Sequence, residues 1–460
     1  MEGNLFSKAL SLLTVREIQS KLLLTVVLLA VYRLGFNIVL SVVDQRLLAE
    51  SLSSKGSQGG VDGAIALLSM LSASNVGMMT IFGLGIMPYI SASIIFQLLG
   101  TVYPPLEALQ KEGDAGRRKI NEYTRYATVV ICLVQSFLWI RLFAVGGDSG
   151  FVLADFRSIY FQVVSAVTMT AGSVLLMWIG EQIDEFGLGN GISLLIMSGI
   201  LSRVPELFMS IVRPAIANGV MVGSQSGVDQ IVLLFLVFVL VVACVVFVTQ
   251  AQRRIQIHSA RHASARGSIS QVQYLPLKIN QSGVMPVIFA SSLMVFPLML
   301  LKQAVASAGG FPSIQYAIST IDGVVSDTSG PVYNVLFVCL IFFFCFFWSA
   351  ISFNPVDVAN NLRDHGSFVP GYRPGARTAS YLEQVIARLN FIGASFLATV
   401  AIVPVLVMNF LGVDYLVASF FGGTSLLICV SVVIDLVQKI DGYGVAAGHS
   451  ALLGATDRDS

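Results

Sequence analysis

The sequence predicts an all-α membrane protein: ten transmembrane helices in two inverted five-helix halves, with a re-entrant helix between the first two spans. Three observations carry this expectation. The 460 residues are 55% apolar and only 12% charged, with a mean hydropathy of +0.80, and a soluble surface cannot be covered with so few charges. The lysines and arginines are distributed unevenly around the apolar runs. A nine-residue motif recurs five spans apart.

A bilayer crossing takes about 20 apolar residues. Ten stretches meet this: 21–41, 78–99, 126–146, 156–179, 190–208, 230–250, 283–305, 332–353, 386–410 and 416–438. The first is expected to be a retained span rather than a cleaved signal, since no small-residue cleavage site follows it. Before it, Thr14-Val15-Arg16-Glu17 has the form of a capping box and predicts an amphipathic segment over 1–20 at the membrane surface.

Orientation follows from the basic residues. With the N-terminus in the cytoplasm, 19 of the 27 lysines and arginines fall inside and six outside, leaving Arg33 and Arg141 within spans. This predicts cytoplasmic N- and C-termini and an even number of spans. Arg33, Arg141 and Asp435 lie near span ends, where long side chains reach the interface. The predicted units are a first half over 21–208, a second half over 230–438 and a cytoplasmic tail over 439–460. Within the second half, basic cytoplasmic loops run over 251–282 and 354–388. The second carries Pro370-Gly371-Tyr372-Arg373-Pro374-Gly375, a composition that builds a rigid exposed tip.

The repeat is Gly85-Ile86-Met87-Pro88-Tyr89-Ile90-Ser91-Ala92-Ser93 against Gly283-Val284-Met285-Pro286-Val287-Ile288-Phe289-Ala290-Ser291, with six identical positions. One copy opens the second span and the other the seventh. An offset of five spans gives the copies opposite directions, the pattern of inverted repeats. Two further spans are broken by glycine, at Gly187-Leu188-Gly189-Asn190-Gly191 and Gly422-Gly423. Irregular backbone at membrane depth survives beside a cavity or inside protein, so the breaks predict helices facing a central path. Isoleucines follow each break: Ile86 and Ile90, Ile192 and Ile196, Ile288, and Ile428. Any one of them is ordinary apolar filling; the recurrence at four breaks is less ordinary. Between spans one and two, Gly63-Ala64-Ile65-Ala66-Leu67-Leu68-Ser69-Met70-Leu71 is apolar but too short to cross, and predicts a re-entrant or surface half-helix.

Several chemistries are excluded or disfavoured. The net charge of +1 implies no nucleic-acid partner. Cys132, Cys244, Cys339, Cys345 and Cys429 lie in apolar runs without metal-ligand spacing, and His258, His262, His365 and His449 lie outside the spans, so no metal site or cofactor is expected and a buried HExxH protease is ruled out. No nucleotide-binding loop is present.

These motifs resemble the SecY family, pore-forming subunits of the bacterial Sec protein-conducting channel, over nearly the whole chain. The most specific are Gly85 to Ile94, Glu112 to Ile120, Gly180-Glu181-Gln182-Ile183 with Gly189 to Ser193, Gln252-Arg253-Arg254-Ile255, Leu275 to Asn280 and Gly422 to Leu427. Phe368 to Gly375 resembles the bacterial branch. The resemblance implies a central channel that conducts unfolded polypeptides across the inner membrane of a bacterium and releases transmembrane segments sideways into lipid. Carried over by motif, the apolar pore ring is Ile86, Ile90, Ile196, Ile288 and Ile428, with Ile192 one turn away. The plug helix falls within 63–75. A lateral gate for signal sequences runs between spans two and seven, at Ile94, Gln97, Ser291 and Ser292. The implied partners are SecE-type and SecG-type small membrane subunits, nascent chains, membrane lipid, and a SecA-type ATPase motor or a ribosome docked at Arg253, Arg254, Arg373, Pro374 and Gly375. Thr249 stands where the family often has an acidic residue, and the tail is short of basic residues.

An apolar constriction suits such a conduit, because it holds back ions by excluding water without a charged gate. The rivals are an inverted-repeat secondary transporter, which usually buries carboxylates mid-span, and an intramembrane enzyme, which needs a base or metal there.

Overall fold

A computed structural model of the chain describes residues 16–40, 80–140, 158–205, 207–209, 211, 228–259, 273–307, 312–326, 330–413 and 415–456. The re-entrant segment at 63–75, Arg141 and residues 1–15 lie outside them. Two compact units divide the chain.

The first unit comprises Met1–Val212, Ser292–Thr328 and Val432–Ser460. It contains α1 (Arg16–Gly35), α2 (Met87–Val102), α3 (Pro104–Lys111), α4 (Asp114–Trp139), α5 (Ile159–Phe186) and α6 (Gly191–Leu201). The later parts of α8 (Met285–Ser307) and α14 (Thr424–Thr456) also belong to it, as does α9 (Pro312–Ser326). Continuous apolar sequence makes these helices, since lipid leaves every backbone group to be satisfied within the segment. Helix α1 runs from Arg16 without a break into the first span, and Arg33 is exposed in its last turn. Tyr32, Phe36 and Phe82 close its end, with Tyr32 edge-on to Phe36 at 4.8 Å. Helices α4 and α5 meet in part through hydroxyls. Ser136 Oγ lies 3.1 Å from the Ala166 carbonyl and 3.2 Å from Thr170 Oγ1, the small-residue packing that lets helix backbones approach where lipid gives no hydrophobic drive.

The second unit comprises Arg213–Ser291 and Ser329–Ser431. It contains α7 (Val228–Gln250), β1 (Gln252–Ser259), β2 (Gln273–Lys278), the start of α8, α10 (Pro331–Ser352), α11 (Pro355–Asp364), β3 (Ser367–Phe368), α12 (Ala376–Leu411), α13 (Tyr415–Gly422) and the start of α14. Prolines open α10 and α11, where a missing N–H costs nothing, and Asn354 Oδ1 caps α11 by accepting from Val356 N at 3.1 Å.

The fold is mostly helical, and the all-α expectation is corrected in one place. The described parts of both long basic loops contain strands. Strand β1 pairs antiparallel with β2, Ile255 opposite Leu275, and with β3, His258 opposite Phe368, giving the order β2-β1-β3. Alternation explains it: Ile255 and Ile257 are buried while Arg254 and Gln256 are exposed, a period of two that basic composition conceals. The covered face packs Ile255 and Leu277 with Val369, Leu382, Val385, Ile386 and Leu389. Helix α12 therefore starts ten residues before the predicted span. At 1.5 Å per residue its 36 residues reach about 54 Å, well beyond a ~30 Å hydrocarbon core.

Five helices among the described residues are long and apolar enough to cross a bilayer, or six if the bent pair Met87–Gly100 and Pro104–Gln110 is one span. Of the other expected stretches, α6 has 11 residues and α4 opens on Asp114-Ala115-Gly116-Arg117-Arg118-Lys119.

Candidate functional site

The two copies of the repeat have the same local structure. Gly85 and Gly283 adopt φ of +58° and +64°, the left-handed region that side chains strain to enter. Two residues later α2 and α8 begin at Met87 and Met285, each with proline in its first turn, where fixed φ favours helix. The first helical bonds match: Ile90 N donates to the Ile86 carbonyl at 3.1 Å and Ile288 N to the Val284 carbonyl at 3.3 Å. Pro88 and Pro286, Ile90 and Ile288, and Ala92 and Ala290 are buried in both copies.

The third break is held by side chains that sequence reasoning missed. Leu188 N donates to Thr25 Oγ1 at 3.1 Å, Gly191 N to Asp184 Oδ1 at 2.8 Å, and Ser193 N to Asn190 Oδ1 at 3.0 Å. The glycines are steric requirements as well: a Cβ on Gly191 would strike the Gly180 carbonyl. Asn190 three residues before Ser193 is a cap signal visible in sequence; nothing local pointed to Thr25. At the fourth break α13 ends on Gly422 and α14 begins at Thr424, with Leu427 N donating to the Gly423 carbonyl at 3.2 Å.

Ile86, Ile90, Ile196, Ile288 and Ile428 are buried and Ile192 is half-buried. The first four of the chain, Ile86, Ile90, Ile192 and Ile196, belong to the first unit, and Ile288 and Ile428 to the second. Within each break the pairs Ile86/Ile90 and Ile192/Ile196 stand one helical turn apart.

Of the gate candidates, Ile94 and Ser292 are buried in the first unit and Ser291 in the second. Ser291 Oγ donates within its own helix, 2.8 Å from the Val287 carbonyl. Gln97 Nε2 donates to Ser93 Oγ at 3.2 Å, while Gln97 Oε1 is buried without a hydrogen-bond partner among the described residues. An unpaired amide oxygen buried this way carries a desolvation cost that a polar chain or water entering beside α2 would relieve.

The basic tip is rigid and solvated. Gly371 and Gly375 adopt φ of +87° and +103°. Tyr372 stacks on Tyr381 of α12 at 4.2 Å, Tyr372 N donates to the Val369 carbonyl at 3.1 Å, and Thr378 Oγ1 donates to the Arg373 carbonyl at 2.9 Å. Val369 is buried under the sheet. The backbone of Arg373 is thus fixed from both sides while its guanidinium, with Pro374 beside it, is exposed. Arg253 and Arg254 are also exposed, on β1.

Residues 80–437 match the SecY family model. The chain is 39% identical over 442 residues to protein translocase subunit SecY of Escherichia coli K12, covering 95% of this chain and 94% of that one. It is 38% identical over 441 residues to protein translocase subunit SecY of Pseudomonas aeruginosa, covering 95% and 93%. Among solved structures, a protein-conducting channel matches with a TM-score of 0.61 at 18% identity over 91% of each chain. Sec61 in the canine ribosome-channel complex from the endoplasmic reticulum matches with a TM-score of 0.60, also at 18% identity and 91% coverage. At that identity the structural likeness is one of fold.

Proposed function

Because this chain belongs to the SecY family, and so is the translocase subunit of a protein-conducting channel, we propose that it works as a passive pore with ten spans in two inverted halves. It lies in the inner membrane of a bacterium with both termini in the cytoplasm. The observation that supports this best is the pair of matched helix starts at Gly85 and Gly283. Two glycine-proline breaks that share a positive glycine φ and the same first helical bond, an odd number of spans apart, let two helices begin partway through the membrane from opposite directions.

Helices starting there present Ile86, Ile90, Ile192, Ile196, Ile288 and Ile428 as an apolar waist. Such side chains exclude water from the resting pore and leave no polar atom unsatisfied when they swing aside. The segment 63–75 is the plug that covers the waist from outside. Ile94, Gln97, Ser291 and Ser292 line the gate through which signal sequences reach lipid, and the unpartnered Gln97 Oε1 offers the entering chain a hydrogen bond. SecE-type and SecG-type subunits brace the channel. Energy comes from a SecA-type motor or a ribosome docked at Arg253, Arg254 and the Arg373-Pro374-Gly375 tip.

The waist is tested with Ile86→Asn and Ile288→Asn in the full complex, reconstituted in planar bilayers. Resting ion current is expected to rise many-fold over the unaltered channel, since a polar wall wets the constriction. Unchanged conductance in both variants sinks the ring assignment.

A further inference from the structure

Helix α9, Pro312–Ser326, has no part in the pore, the gate or the docking tip. Its sequence sorts by face: at 3.6 residues per turn, Ile314, Ala317, Ile318, Ile321, Val324 and Val325 fall within roughly a third of the circumference. The rest of the circumference carries serine, threonine, glutamine, a tyrosine and one aspartate. The stripe is open at Ile321 and Val324, which are 52% and 48% exposed, while Ile318 and Val325 beside them are half-buried. The helix is also tethered. Four residues separate it from the end of α8 at Ser307, and four from the start of α10 at Pro331. Five Cα-to-Cα steps reach at most about 18 Å, so one end stays within that distance of α8 and the other within that distance of α10, a helix long and apolar enough to cross a bilayer.

We infer that α9 lies flat in the interface of the outer leaflet, with Ile321 and Val324 turned into the lipid acyl boundary. An open apolar stripe held this close to the bilayer surface meets hydrocarbon before anything else. The helix holds no lysine or arginine and one acidic residue, Asp322. Its attachment therefore rests on apolar burial alone, unlike the basic interfacial helices that select anionic lipid. Only the word "outer" depends on the orientation proposed above.

The test places nitroxide labels on Ile321→Cys, Val324→Cys and Ser319→Cys, each in a chain whose five native cysteines are replaced by alanine or serine. Each full complex is reconstituted in vesicles of phosphatidylcholine alone, and of phosphatidylcholine with phosphatidylglycerol. Collision with oxygen, which concentrates in lipid, is compared with collision with a water-soluble nickel chelate. Labels at 321 and 324 are expected to favour oxygen several-fold over the label at 319, equally in both lipids and at high salt. Three results overturn the inference: nickel access at 321 and 324 equal to that at 319; exclusion of both reagents, which means that protein covers the stripe; or a contrast seen only with anionic lipid. A labelled variant that loses export is replaced by its stripe neighbour, Ile318→Cys or Val325→Cys. Nickel supplied from one side separates this from the topology. If the label at 319 reports from the same side as a label at Gly371→Cys, the orientation fails, while the lipid contrast still decides whether α9 lies in the interface.

Discussion

At the scale of single residues, what matters is which side chains are held and which are free. Arg373 has a backbone fixed by Thr378 and by the stacked Tyr372, and a guanidinium facing solvent. A guanidinium presents five donors in a fixed fork suited to carboxylate or phosphate, and here the loop holds its backbone in place. Arg373→Glu is expected to leave protein level and insertion normal and to lower motor-driven or ribosome-driven export about tenfold or more, as a loss of ~1.4 kcal/mol in coupling would. Export assays in reconstituted vesicles check this, and full activity would reduce the tip to a topological anchor. The tip was legible in sequence because prolines and glycines encode turns locally. The Tyr372–Tyr381 stack that stiffens it was not, because a contact across the start of a helix depends on tertiary placement.

At the scale of elements, the glycine-broken helices were legible for a similar reason: a positive φ demands glycine, and a helix start favours proline. The bonds that finish each break come from elsewhere. Thr25 reaches the third break from 163 residues away, which no local pattern discloses. The steric part of that break is testable. In Gly191→Ala the new methyl meets the Gly180 carbonyl, and forced overpacking costs about 1–3 kcal/mol, so the thermal midpoint of the purified complex is expected to fall by several degrees. Gly323→Ala is the control. Its Cβ meets nothing within 4 Å, and alanine within a helix gains about 0.5–1 kcal/mol over glycine, so its midpoint is expected to hold or rise. Equal losses in both variants would show that the Gly180–Gly191 approach is not what makes α6 sensitive. The sheet escaped the sequence reading because a charge-rich stretch with only two buried isoleucines, Ile255 and Ile257, looks like a solvated loop until its partners are known.

At the scale of the whole molecule, the proposed function requires the gate beside α2 and α8 to open. In a chain carrying Ile94→Cys and Ser292→Cys, a short crosslink is expected to form in the idle channel and to block export, with reversal on reduction, because a wide path needs the two helices to part. Export that survives the crosslink overturns the gate. Ten apolar runs are legible in the sequence, and among the described residues five or six helices are long and apolar enough to cross. The cytoplasmic sheet also has a consequence in time. Strands β1 and β2 are near neighbours in sequence, but β3 and the first turns of α12 follow roughly 90 residues later, a delay of about 5–18 s at 5–20 residues per second of synthesis. Until then the underside of the hairpin, Ile255 and Leu277, has nothing to cover it. If the proposed docking at this sheet and its tip holds, that surface is completed only after the polypeptide for α8 and α10 has been made. In membrane-inserted chains ending at Gly366, a thiol reagent is expected to reach Ile255→Cys readily; in chains ending at Leu411 the same site is expected to be shielded. Equal protection at both lengths would mean that the hairpin is covered by something other than its late-arriving partners.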